Sequence, residues 1–222
     1  LVQTPDGVLW IGTYAGLYRY SGKEFRPMTQ FESVRNVNCL YTDYEGRVWI
    51  GTNDSGVALM IDGEIIDVID TEDGLPSNSI QCIHEDCRGD YYIGTTEGVV
   101  VYTLSEGLDK ANEFLTISNP VSIDADEFKY TYIVDSSGAV YVIEDRKIVQ
   151  KLVSSNKAYT AVQVESMSEI YVATSNNTIE KFAYNLSGLV LEEEYPCEGL
   201  SNIRRIVVKK DRESYMKAYS WV

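Results

Sequence analysis

Histidine is almost absent from this sequence: His84 is the only one. Cysteine is scarce as well, with Cys39, Cys82, Cys87 and Cys197 and no Cys-x-x-Cys pair among them. Structural zinc sites need several closely spaced thiolate and imidazole ligands, so this inventory argues against a metal site and gives no cofactor to expect. No apolar run approaches the roughly 18 residues of a membrane-spanning helix, and no segment keeps a helical period over three turns. Positive charge is short too, with 19 Lys+Arg against 34 Asp+Glu and a net charge of −15. Such a surface repels phosphate backbones and anionic lipid, so neither nucleic-acid binding nor direct membrane contact by this segment is expected. Leu1 and Val222 both fall inside a pattern, and the segment is expected to be part of something longer.

What the sequence does have is an internal repeat. An aromatic-aliphatic-small-polar tetrad occurs as Trp10-Ile11-Gly12-Thr13, Trp49-Ile50-Gly51-Thr52 and Tyr92-Ile93-Gly94-Thr95. It decays to Tyr132-Ile133-Val134-Asp135 and Tyr171-Val172-Ala173-Thr174, with successive starts 39, 43, 40 and 39 residues apart. Six residues before Trp49 and Tyr92 stand Asp43 and Asp86, followed three residues on by Gly46 and Gly89. A small turn ending in Gly16, Gly56 or Gly98 follows each of the first three tetrads and leads into a second apolar stretch. The second unit therefore predicts strands at 37–41, 47–52, 56–61 and 64–69, rich in Val, Ile, Tyr and Trp between Gly, Asp, Asn and Ser. Asp-x-x-Gly suits a tight hairpin, because Asp bonds nearby backbone and Gly supplies a positive φ. A glycine inside the tetrad strand predicts a neighbour that approaches closely.

Four antiparallel strands per forty residues is the arithmetic of a β-propeller blade, so the expected fold class is all-β. The expected blades are 1–32, 33–75, 76–117, 118–156 and 157–198, with an incomplete one at 199–222. In that last stretch Asp211 and the tetrad-like Lys217-Ala218-Tyr219-Ser220 continue the register poorly. About five and a half blades suggest part of a larger propeller. The tetrad aromatics are expected to fill the wedges between blades. Cys39 and Cys82 share one repeat position and are expected to be small core residues, with Cys87 and Cys197 in turns.

The order Gly-Leu-Pro-Ser-Asn-x-Ile (residues 74–80), Asp-x-x-Gly, Trp-Ile-Gly-Thr and Gly-Leu resembles the two-component regulator propeller repeat, most clearly in residues 1–20, 43–61 and 73–102. The resemblance implies a sensory module on the periplasmic or extracellular side of the cytoplasmic membrane. Such propellers are often paired, and they join through a β-sandwich and a membrane span to a histidine kinase or diguanylate cyclase. It further implies a small polar ligand, with glycans as one class, and a homodimer formed through the full receptor. An interaction scaffold is the second reading and a propeller lyase the third.

For a site, the turns between second and third strands share one face with the connections from each fourth strand to the next first strand. Tyr14, Asn53, Asp54, Glu97 and Asn176 in those turns are the expected ligand-binding residues, since short polar and planar groups suit hydrogen bonding to sugars or peptides. No catalytic residue is expected. His84 reads as a strand residue, and no Gly-x-Ser-x-Gly elbow is present. The acidic stretch Asp67–Gly74 misses the calcium-loop spacing and reads as a solvated hairpin and linker. The triplets at Asn53, Asn176 and Asn185 have glycosylation-type spacing and mark surface turns.

Overall fold

A computed structural model describes residues 1–31, 33–104, 113–209 and 215–220, with side chains described as far as residue 207. The described residues form five four-stranded antiparallel sheets and one two-stranded sheet. The first sheet holds β1 (Val2–Gln3), β2 (Leu9–Thr13), β3 (Gly16–Tyr20) and β4 (Phe25–Pro27), and the second β5 (Val37–Thr42), β6 (Val48–Thr52), β7 (Val57–Ile61) and β8 (Glu64–Ile69). The third holds β9 (Ile80–Glu85), β10 (Asp90–Thr95), β11 (Val99–Thr103) and β12 (Glu113–Leu115). The fourth follows with β13 (Pro120–Ala125), β14 (Tyr130–Asp135), β15 (Val140–Glu144) and β16 (Lys147–Leu152). The fifth has β17 (Tyr159–Ser166), β18 (Glu169–Thr174), β19 (Thr178–Asn185) and β20 (Gly188–Pro196), and β21 (Ile203–Lys209) pairs with β22 (Tyr215–Ser220). In every four-stranded sheet the strands lie in chain order, which is the meander of a propeller blade. The fold is a β-propeller of about five blades. It divides into two compact units, Leu1–Asn119 and Pro120–Val222. Asp211 lies outside the described residues, and Lys217–Ser220 fall on β22.

The second strand of each four-stranded sheet carries the tetrad, and in the second to fifth sheets it is buried along nearly its whole length. Trp10 is 3 % exposed, Trp49, Tyr92 and Tyr132 are fully enclosed, and Tyr171 is buried. Trp49 packs with Val57, Leu59, Ile80, Tyr91 and Ile93 in a core that spans the second and third sheets. The tetrad glycine answers to the approach of the next blade's first strand. A Cβ on Gly12 would fall 2.3 Å from Val37 Cγ1, and one on Gly51 would fall 2.7 Å from Ile80 Cγ2. The fourth and fifth blades instead seat Val134 and Ala173 there, both fully buried.

Two devices join neighbouring blades. First strands are linked by side-chain to backbone hydrogen bonds: Asn38 Nδ2 to Ile80 O (2.7 Å), Val164 N to Asp124 Oδ2 (2.7 Å) and Thr160 Oγ1 to Ile203 O (2.6 Å). The hairpin between first and second strands supplies the other. Asp43 Oδ1 accepts from the amides of Glu45 (3.1 Å) and Arg47 (2.9 Å), which closes the Asp-x-x-Gly turn. Its Oδ2 accepts from Arg47 Nε (2.6 Å) and Trp49 Nε1 (3.0 Å). From the third blade, the Tyr91 hydroxyl accepts from Arg47 Nη2 (2.7 Å), donates to Glu85 Oε1 (2.9 Å) and lies 3.2 Å from Asp43 Oδ2. The Tyr91 ring stacks on Trp49 at 4.3 Å, and Tyr44 N donates to Glu85 Oε2 (3.0 Å). Burial and the bond to Glu85 hold the Tyr91 phenol far above its ordinary pKa. The polar side chains of Asp43, Arg47, Glu85 and Tyr91 thus all have partners, as burial demands.

Candidate functional site

The turns between second and third strands and the connections into each first strand meet at one end of the blades in residues 1–119. Asn36, just before β5, sits at φ 54°, a left-handed conformation that asparagine tolerates better than most residues. Its amide donates to Tyr14 O (3.1 Å) in the first blade's turn, and its carbonyl accepts from Asn53 N (3.0 Å) in the second blade's turn. Its side chain accepts from Asn53 Nδ2 (3.1 Å) and reaches Asp54 Oδ2 at 3.4 Å. Ser55 Oγ donates to the other Asp54 oxygen (2.9 Å). One half-buried asparagine therefore gathers three of the five expected residues, Tyr14, Asn53 and Asp54, all exposed.

Beside this cluster a cavity of about 350 Å³ opens on the first blade, lined by Tyr14, Tyr18, Met28, Phe31, Val34 and Arg35 among others. Arg35 is exposed and Tyr14 is 84 % exposed, so a guanidinium and a phenol stand at the mouth of a hollow that Met28, Phe31 and Val34 also line. Arg35 and Asn36 are consecutive, which makes cavity and cluster one continuous surface. Polar and apolar surface line the hollow in similar measure, and a concave site that combines the two can hold a small polar molecule. The groups present can pair with hydroxyls, amides or carboxylates and can stack a sugar ring on tyrosine.

The other two expected residues lie elsewhere. Glu97 is exposed in the third blade's turn, where its amide donates to Thr95 Oγ1 (3.2 Å). Its neighbour Thr96 is tied to Ser77 and Ser79 rather than to the Asn36 cluster. Asn176 is exposed in the fifth blade, within the unit Pro120–Val222. Sequence reasoning missed Asn36 and the cavity residues around Arg35. A signal did exist: Asn36, Asn119 and Asn202 each stand just ahead of a first strand with positive φ, in two steps of 83 residues.

His84 stands on β9 opposite Tyr92, with its ring 5.2 Å from Tyr41. Burial pushes its pKa down to about 4, so it is neutral at ordinary pH. Cys39 packs against the core of the second and third blades, and burial pushes its thiol up to about 12. Burial raises Cys82 as well, whereas Cys87 is exposed. Asp70–Gly74 form a turn closed on itself, with Asp73 Oδ2 accepting from Asp70 N and Asp70 Oδ1 from Glu72 N. Among the described residues no three His, Cys, Asp or Glu side chains are grouped to hold a metal ion.

Comparison with known proteins places these features. Residues 32–54, which include Arg35, Asn36, Asn53 and Asp54, match the family model of the two-component regulator propeller. The extracellular domain of a hybrid two-component system from B. thetaiotaomicron superposes on 98 % of this chain with a TM-score of 0.75 and 22 % identity. The chain spans 31 % of that protein's length. A chain of the mitotic checkpoint complex matches 91 % of this one at TM-score 0.72 and 14 % identity, with 65 % of its own length covered. The WD40 repeats of RRP9 match 77 % at TM-score 0.64 and 13 % identity, with 54 % of that chain covered. No curated protein matches the sequence. Propellers with unrelated roles thus superpose on this chain too, and the fold by itself assigns no activity. The chain is a β-propeller whose residues 32–54 match the two-component regulator propeller.

Proposed function

We propose that these blades belong to the ligand-sensing propeller of a membrane-anchored bacterial signal-transduction receptor. In this reading they face away from the cytoplasm, and a histidine kinase or diguanylate cyclase elsewhere in the receptor provides the output. Support comes from one coincidence: the segment 32–54 that matches the regulator propeller contains Asn36, Asn53 and Asp54 of the cluster. The ligand is small, polar and hydroxyl-rich, with an oligosaccharide as the first class to test, because paired amides and a carboxylate beside the exposed Tyr14 suit vicinal hydroxyls. The work of the surface is recognition rather than catalysis, and the receptor signals as a homodimer.

The test is calorimetric titration of the complete receptor ectodomain against panels of glycans and of peptides. A glycan should bind, and Asn36→Ala or Asp54→Ala should weaken it about tenfold, the equivalent of ~1.4 kcal/mol or one to two hydrogen bonds. Silence across both panels from folded protein, or affinity indifferent to both substitutions, would count against the proposal.

A further inference from the structure

The two junctions in residues 1–119 are built on one repeat but filled differently. Between the second and third blades, Asp43, Arg47, Tyr91 and Glu85 close the space around Trp49. One repeat earlier, around Trp10, the same four positions are Thr4, Val8, Val48 and Thr42. Each replacement is smaller or less polar, and the phenol that stacks on Trp49 has become a valine. Tyr44, whose amide bonds Glu85, is replaced by Pro5, which has no N–H to give.

The result is a cavity of about 340 Å³ at the hairpin end of the blades, opposite the Asn36 cluster. Its floor is apolar, formed by Trp10, Val48 and Met60, all buried. Gly63, at φ 81°, opens one wall; a Cβ there would lie 3.9 Å from the tip of the Trp10 ring. Two groups are left without the partners their counterparts have. Trp10 Nε1 bonds no described residue, whereas Trp49 Nε1 bonds Asp43. Thr42 Oγ1, at the position of Glu85, is buried with no hydrogen-bond partner. The junction thus keeps the recognition geometry of the repeat while lacking the ring that fills it next door.

The rim sets the charge of the occupant. Asp6, Glu45 and Asp62 line the cavity with Arg19 as the one cation. Glu45 is paired with Arg47 (2.9 Å). Bonds from the Thr4 hydroxyl and the Val8 amide hold Asp6 below the usual carboxylate range, so it stays ionised. Asp62, in the turn between β7 and β8, has no hydrogen bond or ion pair among the described residues. A negative rim over an apolar floor repels anions and favours an ammonium.

We infer that this cavity between the first and second blades is a binding site for a small aromatic amine. Its ring takes the volume that Tyr91 fills in the next junction, and its ammonium pairs with Asp62. A ring hydroxyl or other acceptor meets Trp10 Nε1. The site is separate from the Asn36 surface and does not depend on the function proposed for it.

The probe is tyramine, titrated by calorimetry into the full chain, with 4-hydroxyphenylacetate as an isosteric anion. Tyramine should bind in the micromolar to millimolar range and the anion at least tenfold more weakly. Val48→Tyr, which refills the cavity as Tyr91 does, should abolish tyramine binding without lowering the melting temperature. Asp62→Asn, in an exposed turn where asparagine suits the positive φ, should weaken it several-fold and keeps the test open if Val48→Tyr misfolds. Asn36→Ala should leave it unchanged. No binding at about 10 mM tyramine, equal binding of the anion, or affinity untouched by both cavity variants would overturn the inference.

Discussion

Replacing Asp43 by alanine should be among the most damaging single changes in residues 1–119. The side chain is fully enclosed and accepts from Glu45 N, Arg47 N, Arg47 Nε and Trp49 Nε1, with the Tyr91 hydroxyl 3.2 Å away. Each neutral bond contributes about 1 kcal/mol and the charged one about twice that, but the bonds share one network and do not add in full. The larger cost is what remains: a buried indole N–H without an acceptor, and a guanidinium left with only the exposed Glu45 carboxylate and the Tyr91 hydroxyl. Arg47 is 16 % exposed and can recruit some water, which holds the estimate to about 3–4 kcal/mol. That corresponds to roughly 10 °C in Tm for a chain of this length. Urea titration followed by tryptophan emission, in a Trp221→Phe background, leaves only Trp10 and Trp49 as reporters. Asp86→Ala is the internal control. Its carboxylate closes the equivalent turn through Arg88 N (2.9 Å) and Asp90 N (3.0 Å), but its guanidinium partner Arg88 is 34 % exposed. It should cost about 1–2 kcal/mol. A loss below about 1 kcal/mol for Asp43→Ala, or equal losses for the two variants, would refute the network argument.

Three further outcomes follow from burial and backbone geometry. His84 has its folded pKa lowered to about 4 by burial, so the unfolded chain binds its proton more readily. Its contribution is fully present above the unfolded pKa of about 6.5 and is lost as pH falls from there towards 4; partial solvent contact limits the loss to about 1–2 kcal/mol. Urea midpoints across that range should fall more steeply for the native chain than for His84→Gln, and parallel slopes would refute this. Gly56→Ala would drive a Cβ to 2.1 Å from Ile69 O at φ 74° and should cost more than about 3 kcal/mol, against about 1 kcal/mol for Gly22→Ala, where φ is 89° but space is open. Equal denaturation midpoints for the two would show that the backbone yields. Iodoacetamide should alkylate Cys87 in the folded chain and leave Cys39 and Cys82 untouched until denaturant is added, read by mass spectrometry.

The repeat made the fold legible because each blade buries the same positions. Three Trp/Tyr-Ile-Gly-Thr tetrads mark the second strands, and the strands expected for the second unit lie within one residue of β5 to β8. The tetrad glycine was readable as a point of close approach, and Val37 and Ile80 are what approach it. Site residues were less legible, since a turn's composition does not say which other turn it meets. Tyr14, Asn53 and Asp54 come together only through Asn36, which belongs to a different kind of loop. The cavity over Trp10 arises from side chains that the repeat lacks at one junction. Such a gap can be read only once it is known that Val48 faces Trp10 as Tyr91 faces Trp49.

Within each unit, the first strands of neighbouring blades are fastened by single side chains such as Asn38, Asp124 and Thr160, not by a backbone ladder. Under tension these fasteners load one at a time, while each sheet's own ladder stays intact until its blade is reached. A chain pulled from its ends should therefore release in steps rather than in one rupture. Each blade of about forty residues should add roughly 140 Å of contour length at ~3.5 Å per residue, with a force set by the junction being broken. The sparsely filled junction around Trp10 should then yield before the one around Trp49.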